Sequence, residues 1–188
     1  TDQIRYAIGS NAPETSDSEF TWRDFQNRCN TDLVGKYGNL VNRVLVFAKN
    51  NCGGIIPKKN NLDTVDQEFL ENIRKLIDQA AESYQTFKVR RASQIIMELA
   101  QLGNIYFDKK RPWLDAKEAS TKPQMETTIA CCLECLKALA LISFPIIPDS
   151  ASQVWKLLGF TNELKDVDWN AVAASRLETG QALREPKI

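Results

Sequence analysis

The sequence contains no histidine, and this absence removes several classes of site. None of the 188 residues is His, so the commonest general base near neutral pH and the commonest metal ligand are both missing. A catalytic triad of the Ser–His type is therefore excluded within this chain. A Gly-rich phosphate loop is also absent, because the C-G-G at 52–54 lacks the required spacing and the lysine. The residues themselves indicate no active site.

Net charge and long apolar runs are missing as well. The chain has 24 Lys and Arg against 24 Asp and Glu, whereas a nonspecific polyanion binder is normally basic. Any contact with nucleic acid must therefore be local and directed at shape or at bases. No run approaches the roughly 18 apolar residues of a membrane span, and no charged-then-apolar leader opens the chain. We expect a cytoplasmic protein without membrane contacts, and the start at Thr1 rather than Met indicates a fragment.

Five cysteines, an odd and unevenly spaced set, argue against a secreted disulfide scaffold. The C-C-L-E-C at 131–135 includes a C-x-x-C pair, which is typical of redox and zinc modules. However, its apolar neighbours follow helical spacing, and no second pair or histidine completes a zinc set. We favour a buried core position for Cys131, Cys132 and Cys135, since cysteine behaves as a small hydrophobe there. A redox or zinc module remains the alternative.

Apolar residues recur at three- to four-residue spacing along most of the chain, and no segment alternates as a strand would, which predicts an all-α fold. The predicted helices cover about 21–52, 63–85, 88–110, 122–143 and 150–158, with a weaker piece near Trp169. We expect these to form an antiparallel bundle of about five helices. The expected N-caps are Thr21, Asp63 and Ser150, and the expected helix-ending glycines are Gly53 and Gly159.

Two polar residues share one face of the first long helix. Asn39 and Arg43 lie four apart in the largely apolar G-N-L-V-N-R-V-L-V-F, so they stack one turn above each other. Asn offers a donor and an acceptor, and Arg offers a rigid donor fork, which together suit the edge of a nucleobase. A solvated helix face is the alternative interpretation.

The second candidate site is F-D-K-K-R-P-W at 107–113, where cations lead into a Pro–Trp turn. Trp113 on this stiff turn resembles a base-stacking platform beside a phosphate-facing patch, although a Trp packed into the core is the alternative. A second basic run, K-V-R-R at 88–91, is either a further phosphate contact or a solvated surface. The candidate phosphate contacts are Lys88, Arg90, Arg91, Lys109, Lys110 and Arg111.

Four stretches, in order, resemble the C-terminal half of the methionyl-tRNA synthetase family over nearly the whole chain. They are IRYAIGSNAPETSDSEFTWRDF, RCNTDLVGKYGNLVNR, NIYFDKKRPW and FPIIPDSASQVWKLLG. In the same order, they are similar to the family's junction leaving the catalytic domain, its first anticodon-domain helix, its N-x-Y-x-x-x-x-x-P-W turn and a later helix pair. The leucine, isoleucine, valine and cysteine enzymes share this helical domain and are alternatives, but G-N-x-x-x-R together with P-W favours methionine.

The resemblance implies an anticodon-binding role. Asn39 and Arg43 match positions that hydrogen-bond the anticodon, and Trp113 matches the Trp that stacks on its unpaired bases. The implied partner is the CAU anticodon loop of methionine tRNA, and not DNA. ATP, with zinc as a further candidate, belongs to the catalytic half, whose H-I-G-H-type and K-M-S-K-S-type motifs this sequence lacks. We therefore expect the chain itself to carry no catalytic residue, cofactor or metal.

The resemblance also implies domain boundaries, and one position of this sequence differs from some members of the family. Residues 1–19 correspond to the junction from the catalytic domain, 20–160 to the helical bundle, and 161–188 to an extension packing on the bundle. Gly35 stands where some relatives place Asn, and we expect Tyr37 to fill part of that space. The other alternative function is a helical scaffold for protein partners, with Trp113 and Trp155 as anchors.

Overall fold

The computed structural model describes residues 1–14 and 17–184, and these residues form helices, as the sequence predicted. The elements are α1 (Asp2–Ser10), α2 (Trp22–Arg28), a π-helical segment (Cys29–Gly38), α3 (Asn39–Cys52), α4 (Thr64–Gln85), α5 (Val89–Lys110), α6 (Pro112–Asp115), α7 (Lys122–Ser143), α8 (Pro148–Leu157), a 3₁₀ turn (Leu164–Asp166) and α9 (Trp169–Ala174). One backbone bridge joins Ile55 to Ala182, and the two described ranges hold no β-strand.

Helix α7 lies at the centre of the bundle. It packs against α3, α4, α5 and α8, and every residue from 127 to 143 is buried. A helix that is apolar on all sides is stable only when it is surrounded in this way. The C-C-L-E-C motif falls in this stretch, and Cys131, Cys132 and Cys135 are all fully buried. The core interpretation of these cysteines is confirmed.

Most of the predicted helix ends are confirmed, because the side chains that form them are local. The Thr21 hydroxyl accepts a hydrogen bond from the Asp24 N–H at 3.1 Å and begins α2. Asp63 and Asp66 form a reciprocal capping box at the start of α4. Gly53 ends α3 with φ of 66°, a left-handed conformation that glycine adopts without steric cost.

The predicted cap of α8 is wrong, because a distant residue supplies it. The helix begins at Pro148, two residues before Ser150. The backbone N–H groups of Asp149 and Ser150 donate instead to the carboxylate of Asp2, at 3.4 and 2.6 Å. Asp2 is buried at the start of α1, so α1 satisfies donors that α8 would otherwise leave unpaired. A local sequence pattern does not reveal such a long-range cap.

The first long predicted helix contains a π-helical segment that its periodicity does not reveal. Residues 29–38 form this wider helix, in which hydrogen bonds span five residues, between α2 and α3. A Cβ at Gly35 or Gly38 would lie only 3.2 or 3.1 Å from the carbonyl oxygen five residues earlier. Glycine therefore suits both positions. The segment leads directly into Asn39, the first residue of α3.

The two ends of the described chain pack on the bundle. Tyr6 and Ala7 of α1 are buried, and α1 contacts α5 and α8. Leu164, Val172 and Leu177 join the same core from the C-terminal side. The domain boundaries after residues 19 and 160 stay predictions, and residues 15–16 and 185–188 of the predicted end segments lie outside the described residues. Within the described part of the chain, no helix has the length and apolar character needed to cross a membrane.

Candidate nucleic-acid interface

The candidate site lies where α3 meets α5. Asn39 begins α3, and Arg43 follows one turn later on the same helix. The two helices approach closely at Gly103, where a Cβ would lie 2.5 Å from Leu40 Cδ2 and 3.1 Å from the Cys135 sulfur. The missing side chain at Gly103 makes room for Leu40, and this close packing brings Asn39 beside Asn104 on α5.

Asn39 is held by the buried amide of Asn104. Asn39 Nδ2 donates to Asn104 Oδ1 at 3.0 Å. Asn104 Nδ2 in turn donates to the backbone carbonyls of Lys36, at 3.1 Å, and Ala100, at 3.0 Å. Asn104 is only 7% exposed, whereas Asn39 is exposed to solvent. The predicted base-reading residue is thus supported from below by the first residue of the N-x-Y-x-x-x-x-x-P-W motif, for which the sequence predicted no role of its own.

Arg43 is held by two neighbouring residues of α5. Its Nη2 donates to Asp108 Oδ1 at 2.6 Å, and its guanidinium carbon lies 4.7 Å from the centroid of the Phe107 ring. A cation over an aromatic face is stabilised by about 0.5–1 kcal/mol at exposed sites. The Arg43 side chain remains 29% exposed, so part of its donor fork faces solvent.

Trp113 lies beside the same phenylalanine. Arg111 has a left-handed backbone with φ of 48°, and Pro112 then begins the short helix α6 that carries the indole. The Trp113 and Phe107 rings are 5.9 Å apart between centroids, with a tilt of 37°. Trp113 is 38% exposed, so the alternative of an indole sealed in the core does not describe this structure.

We call this site the α3–α5 face; it consists of Asn39, Arg43, Asp108 and Trp113, with the buried Asn104 and Phe107 beneath them. It combines an amide and a guanidinium, which bind base edges, with an indole on which a base stacks. Sequence analysis assigned no role to Asn104, Phe107 and Asp108, although all three lie within the quoted stretch NIYFDKKRPW. A signal exists, since their spacing places the three on one side of α5. The pattern does not say, however, that this side of α5 meets α3.

Lys110, one of the candidate phosphate contacts, is paired with two carboxylates within the fold. Its Nζ lies 2.7 Å from an oxygen of Asp63 and 2.8 Å from one of Asp66, and its side chain is 13% exposed. Burial opposes the charge of Lys110, but its hydrogen bonds to the two carboxylates outweigh burial and raise its pKa. The hydrogen bond from Lys110 lowers the pKa of Asp63. Of the three cations at 109–111, Lys109 and Arg111 remain exposed.

The second basic cluster lies far from the α3–α5 face. It consists of Lys88, Arg90 and Arg91 at the start of α5. With a rise of 1.5 Å per residue, about 30 Å of helix separates this cluster from the cations at 109–111. Arg91 also pairs with Glu98, at 2.5 Å between Nη1 and Oε1. The structure therefore separates the predicted phosphate contacts into two groups.

Tyr37 and Trp155 are both buried. Tyr37 is 5% exposed, and its hydroxyl lies 3.2 Å from the Ser143 hydroxyl of α7, so it does not extend the surface beside Gly35. Trp155 is 2% exposed and stacks on Phe160, with ring centroids 3.7 Å apart. Trp155, a suggested anchor in the alternative of a protein-binding scaffold, is therefore part of the core.

The buried cysteines do not have the chemistry of a redox or zinc module. Burial raises the pKa of the Cys131 thiol to about 11 and the pKa of the Cys132 and Cys135 thiols well above their ordinary value. The reactive species in thiol chemistry and metal ligation is the thiolate, which such sites disfavour. Within residues 1–14 and 17–184, no cluster of three or more His, Cys, Asp or Glu is arranged to hold a metal ion.

Two family models match adjoining parts of the chain. Residues 56–188 match the anticodon-binding domain of methionyl tRNA ligase, and residues 1–45 match the class I tRNA synthetases of the methionine type. Among curated relatives, a methionine–tRNA ligase of Protochlamydia amoebophila is 64% identical over all 188 residues, and one of Chlamydia pneumoniae is 46% identical over 158 residues, or 84% of the chain. The chain spans 27% and 28% of these relatives, respectively.

Solved structures show the same architecture. The methionyl-tRNA synthetase of Mycobacterium tuberculosis, in its free state, superposes with a TM-score of 0.91 at 26% identity, covering 99% of this chain and 37% of that one. The same enzyme in complex with methionyl-adenylate gives a TM-score of 0.92, covering 99% of this chain and 36% of that one. The fold is therefore that of the class I anticodon-binding bundle, and the chain belongs to the methionyl-tRNA ligase family, of which it carries the anticodon-binding domain.

Proposed function

We propose that this chain binds the CAU anticodon loop of methionine tRNA as the tRNA-reading part of a methionine–tRNA ligase. The observation that carries the proposal is the α3–α5 face, where Arg43 and Trp113 both contact Phe107 and Asn39 lies one turn before Arg43. Hydrogen-bonding groups and a stacking surface are thus exposed together. Family membership supports the same function.

Each exposed group has a role that its chemistry supports. Sequence-specific RNA recognition uses unpaired loop bases, which stack on aromatic rings while their edges are hydrogen-bonded. Trp113 provides the stacking surface, and Asn39 and Arg43 bond the base edges. A chain without net charge suits this mode, because base contacts specify the sequence while phosphate contacts only position the RNA.

Phosphate contacts are proposed for the predicted cations other than Lys110. Lys109 and Arg111 precede the Pro112–Trp113 turn and would meet the backbone next to a stacked base. Lys88, Arg90 and Arg91 lie about 30 Å away along α5 and would reach only a part of the tRNA remote from the anticodon. Lys110 is left out, because Asp63 and Asp66 already neutralise it.

The chemistry of aminoacylation is proposed to lie outside this chain. The matched relatives are methionine–tRNA ligases, and the Mycobacterium tuberculosis enzyme has been seen with methionyl-adenylate. ATP, with zinc as a further candidate, would bind to a catalytic domain of the same protein. That catalytic domain would be the second partner of this chain, besides tRNA. The sequence contains neither an H-I-G-H-type nor a K-M-S-K-S-type motif, so this chain is proposed to bind tRNA without catalysis.

Anticodon hairpins test the proposal directly. The chain is titrated with a stem-loop of about 17 nucleotides that carries CAU. Matched stem-loops in which one anticodon base is changed are titrated in the same way, each at two salt concentrations. We expect the CAU hairpin to bind more tightly, with each wrong base costing about 1–3 kcal/mol, and the preference to persist at the higher salt. Equal binding of CAU and changed hairpins at both salt concentrations would refute anticodon recognition.

A further inference from the structure

The amide of Asn104 has only one orientation that satisfies its surroundings. One side of this amide faces the backbone carbonyls of Lys36 and Ala100, at 3.1 and 3.0 Å. Carbonyl oxygens only accept hydrogen bonds, so the NH₂ group must lie on that side. The Asn104 oxygen is consequently directed toward Asn39, and with 7% of the residue exposed, water is a poor substitute partner.

This orientation determines the orientation of the Asn39 amide. Because Asn104 presents an oxygen, Asn39 must present its Nδ2 to it, as the 3.0 Å contact shows. The Oδ1 of Asn39 then lies on the other side of the amide, and it accepts no hydrogen bond from the residues at 1–14 and 17–184. Asn39 is exposed, so its free group toward a ligand is an acceptor.

The structure assigns Asn104 as a positioning residue, which fixes Asn39 Oδ1 as the acceptor facing the base and thereby selects a base with an amine at C4 of a pyrimidine or C6 of a purine. This inference rests on the proposed function and adds the polarity of the contact. Cytosine and adenine carry amines that donate, whereas uracil and guanine carry carbonyl oxygens at the corresponding positions. Without Asn104, the Asn39 amide turns over freely. It can then accept from an amine with its oxygen or donate to a carbonyl with its NH₂ group, and so binds either class of base.

Arg43 completes a complementary pair of groups. Its guanidinium only donates, and one turn of α3 separates it from Asn39. The α3–α5 face therefore presents an acceptor beside a donor. The pairing edges of cytosine and adenine offer an amine beside an acceptor ring nitrogen, which matches this order. The edges of uracil and guanine offer the reverse order and place like groups against each other.

Base analogues that lack only the amine identify the source of the donor. One hairpin carries pyrimidin-2-one in place of the anticodon cytosine, and a second carries unsubstituted purine in place of the adenine. We expect one of these hairpins to bind the wild-type chain about fivefold more weakly than the CAU hairpin, the loss for one neutral hydrogen bond. The affected hairpin shows whether Asn39 reads the cytosine or the adenine.

Substitution of Asn104 tests whether it acts through Asn39. In Asn104→Ala, Asn39 can turn its NH₂ group toward a carbonyl base, so the ratio between the CAU hairpin and a hairpin with uracil for the cytosine, or guanine for the adenine, should fall at the position that the analogues identify. In an Asn39→Ala background, where the contribution of Asn39 to this ratio is already absent, Asn104→Ala should change the ratio no further, as a double-mutant cycle requires for residues acting as one unit. Gln101→Ala, on an exposed position one turn earlier in α5, is the matched control and should keep the wild-type ratio.

A second variant separates positioning from loss of folding. Asn104→Ser keeps a hydroxyl that bonds its own helix at Ala100 but is too short to reach Asn39. Both variants are checked by their urea unfolding midpoints, and both should lose amine discrimination while remaining folded. Retention of the full ratio in a folded Asn104 variant, or unchanged wild-type binding of both analogues, overturns the inference. Failure of the wild type to prefer CAU over changed anticodons instead overturns the proposed function.

Discussion

The Arg43 guanidinium lies over the ring of Phe107, with its central carbon 4.7 Å from the ring centroid. The same ring contacts Trp113, so one buried phenylalanine positions both an edge-binding and a stacking group. Phe107→Leu removes this ring but keeps both exposed groups. We expect it to weaken binding of the CAU hairpin by about 0.5–2 kcal/mol, the strength of a cation–π contact, as measured by fluorescence anisotropy.

Phe160→Leu is the control for this prediction. Phe160 also contacts a tryptophan, Trp155, but on the side of the bundle formed by α8. Both substitutions reduce aromatic packing, and we expect each to lower the free energy of unfolding by less than about 1.5 kcal/mol. If the two variants weaken hairpin binding equally, Phe107 has no specific link to the site.

Trp113 and Trp22 offer a comparison between two exposed indoles. Trp22 is 77% exposed and makes an edge contact with Phe20, at 5.3 Å between centroids. Trp113→Ala should weaken binding of the CAU hairpin by about 1–3 kcal/mol, since that is the contribution of one stacked base. Trp22→Ala should leave the dissociation constant unchanged. The reverse result would place the RNA on the α2 side of the chain.

Salt dependence separates the two basic clusters. Each cation that contacts a phosphate contributes about one unit to the slope of log K against log salt. We expect Lys109→Ala and Arg111→Ala to reduce the slope for the short hairpin, and Arg91→Ala to affect only intact tRNA, because it lies about 30 Å farther along α5. A reduced hairpin slope for Arg91→Ala would be inconsistent with this arrangement.

Lys110 is expected to stabilise the fold rather than bind RNA. Lys110→Met leaves the carboxylate of Asp66, which is 1% exposed, without its cation. The Tyr106 hydroxyl still donates to this carboxylate, at 2.6 Å, so we expect the lower end of the usual range, a loss of about 3 kcal/mol at neutral pH. Urea unfolding measures this loss.

The pH dependence of Lys110→Met follows from the directions of two pKa shifts. The pKa of Asp63 is lowered in the folded state. Its contribution to the free energy of unfolding is therefore present above the ordinary carboxyl pKa of about 3.9 and is lost as pH falls through the folded-state pKa. The pKa of Lys110 is raised, so its contribution to the free energy of unfolding is lost only as pH rises through the folded-state pKa of Lys110. The difference between wild type and variant should therefore shrink in acid.

An exposed ion pair provides the comparison for this acid titration. Lys75 pairs with Glu71 on the outside of α4, at 3.0 Å, with both side chains more than half exposed. Lys75→Met should change the free energy of unfolding by less than about 1 kcal/mol. An equal effect of the two substitutions at neutral pH would mean that Lys110 has no special role in joining α5 to α4.

The helices were predictable because their signals are local. The stripe at Leu40, Val44 and Leu45 and the caps at Thr21 and Asp63 each depend on residues within a few positions, and the structure has them as expected. The π-helical segment was not predictable, since a three- to four-residue spacing does not distinguish it from an α-helix over ten residues.

Contacts between distant segments account for what the sequence did not predict. Asp2 replaces Ser150 as the cap of α8, and Asp66 pairs with Lys110, because the bundle brings their helices together. Phe107 reads as an ordinary core residue in the sequence, and its role depends on which helix faces α5. The resemblance supplied Asn39, Arg43 and Trp113, but the residues that hold them required coordinates.

The central claim is that RNA binds at Trp113 and the polar residues beside it. The four indole N–H signals of ¹⁵N-labelled chain, assigned by single Trp→Phe substitutions, report this during titration with the CAU hairpin. The account predicts that the Trp113 signal moves most, while that of Trp155, whose Nε1 donates to the Asn162 carbonyl at 3.1 Å, stays in place. Movement of the Trp22 signal with an unchanged Trp113 signal would contradict the account.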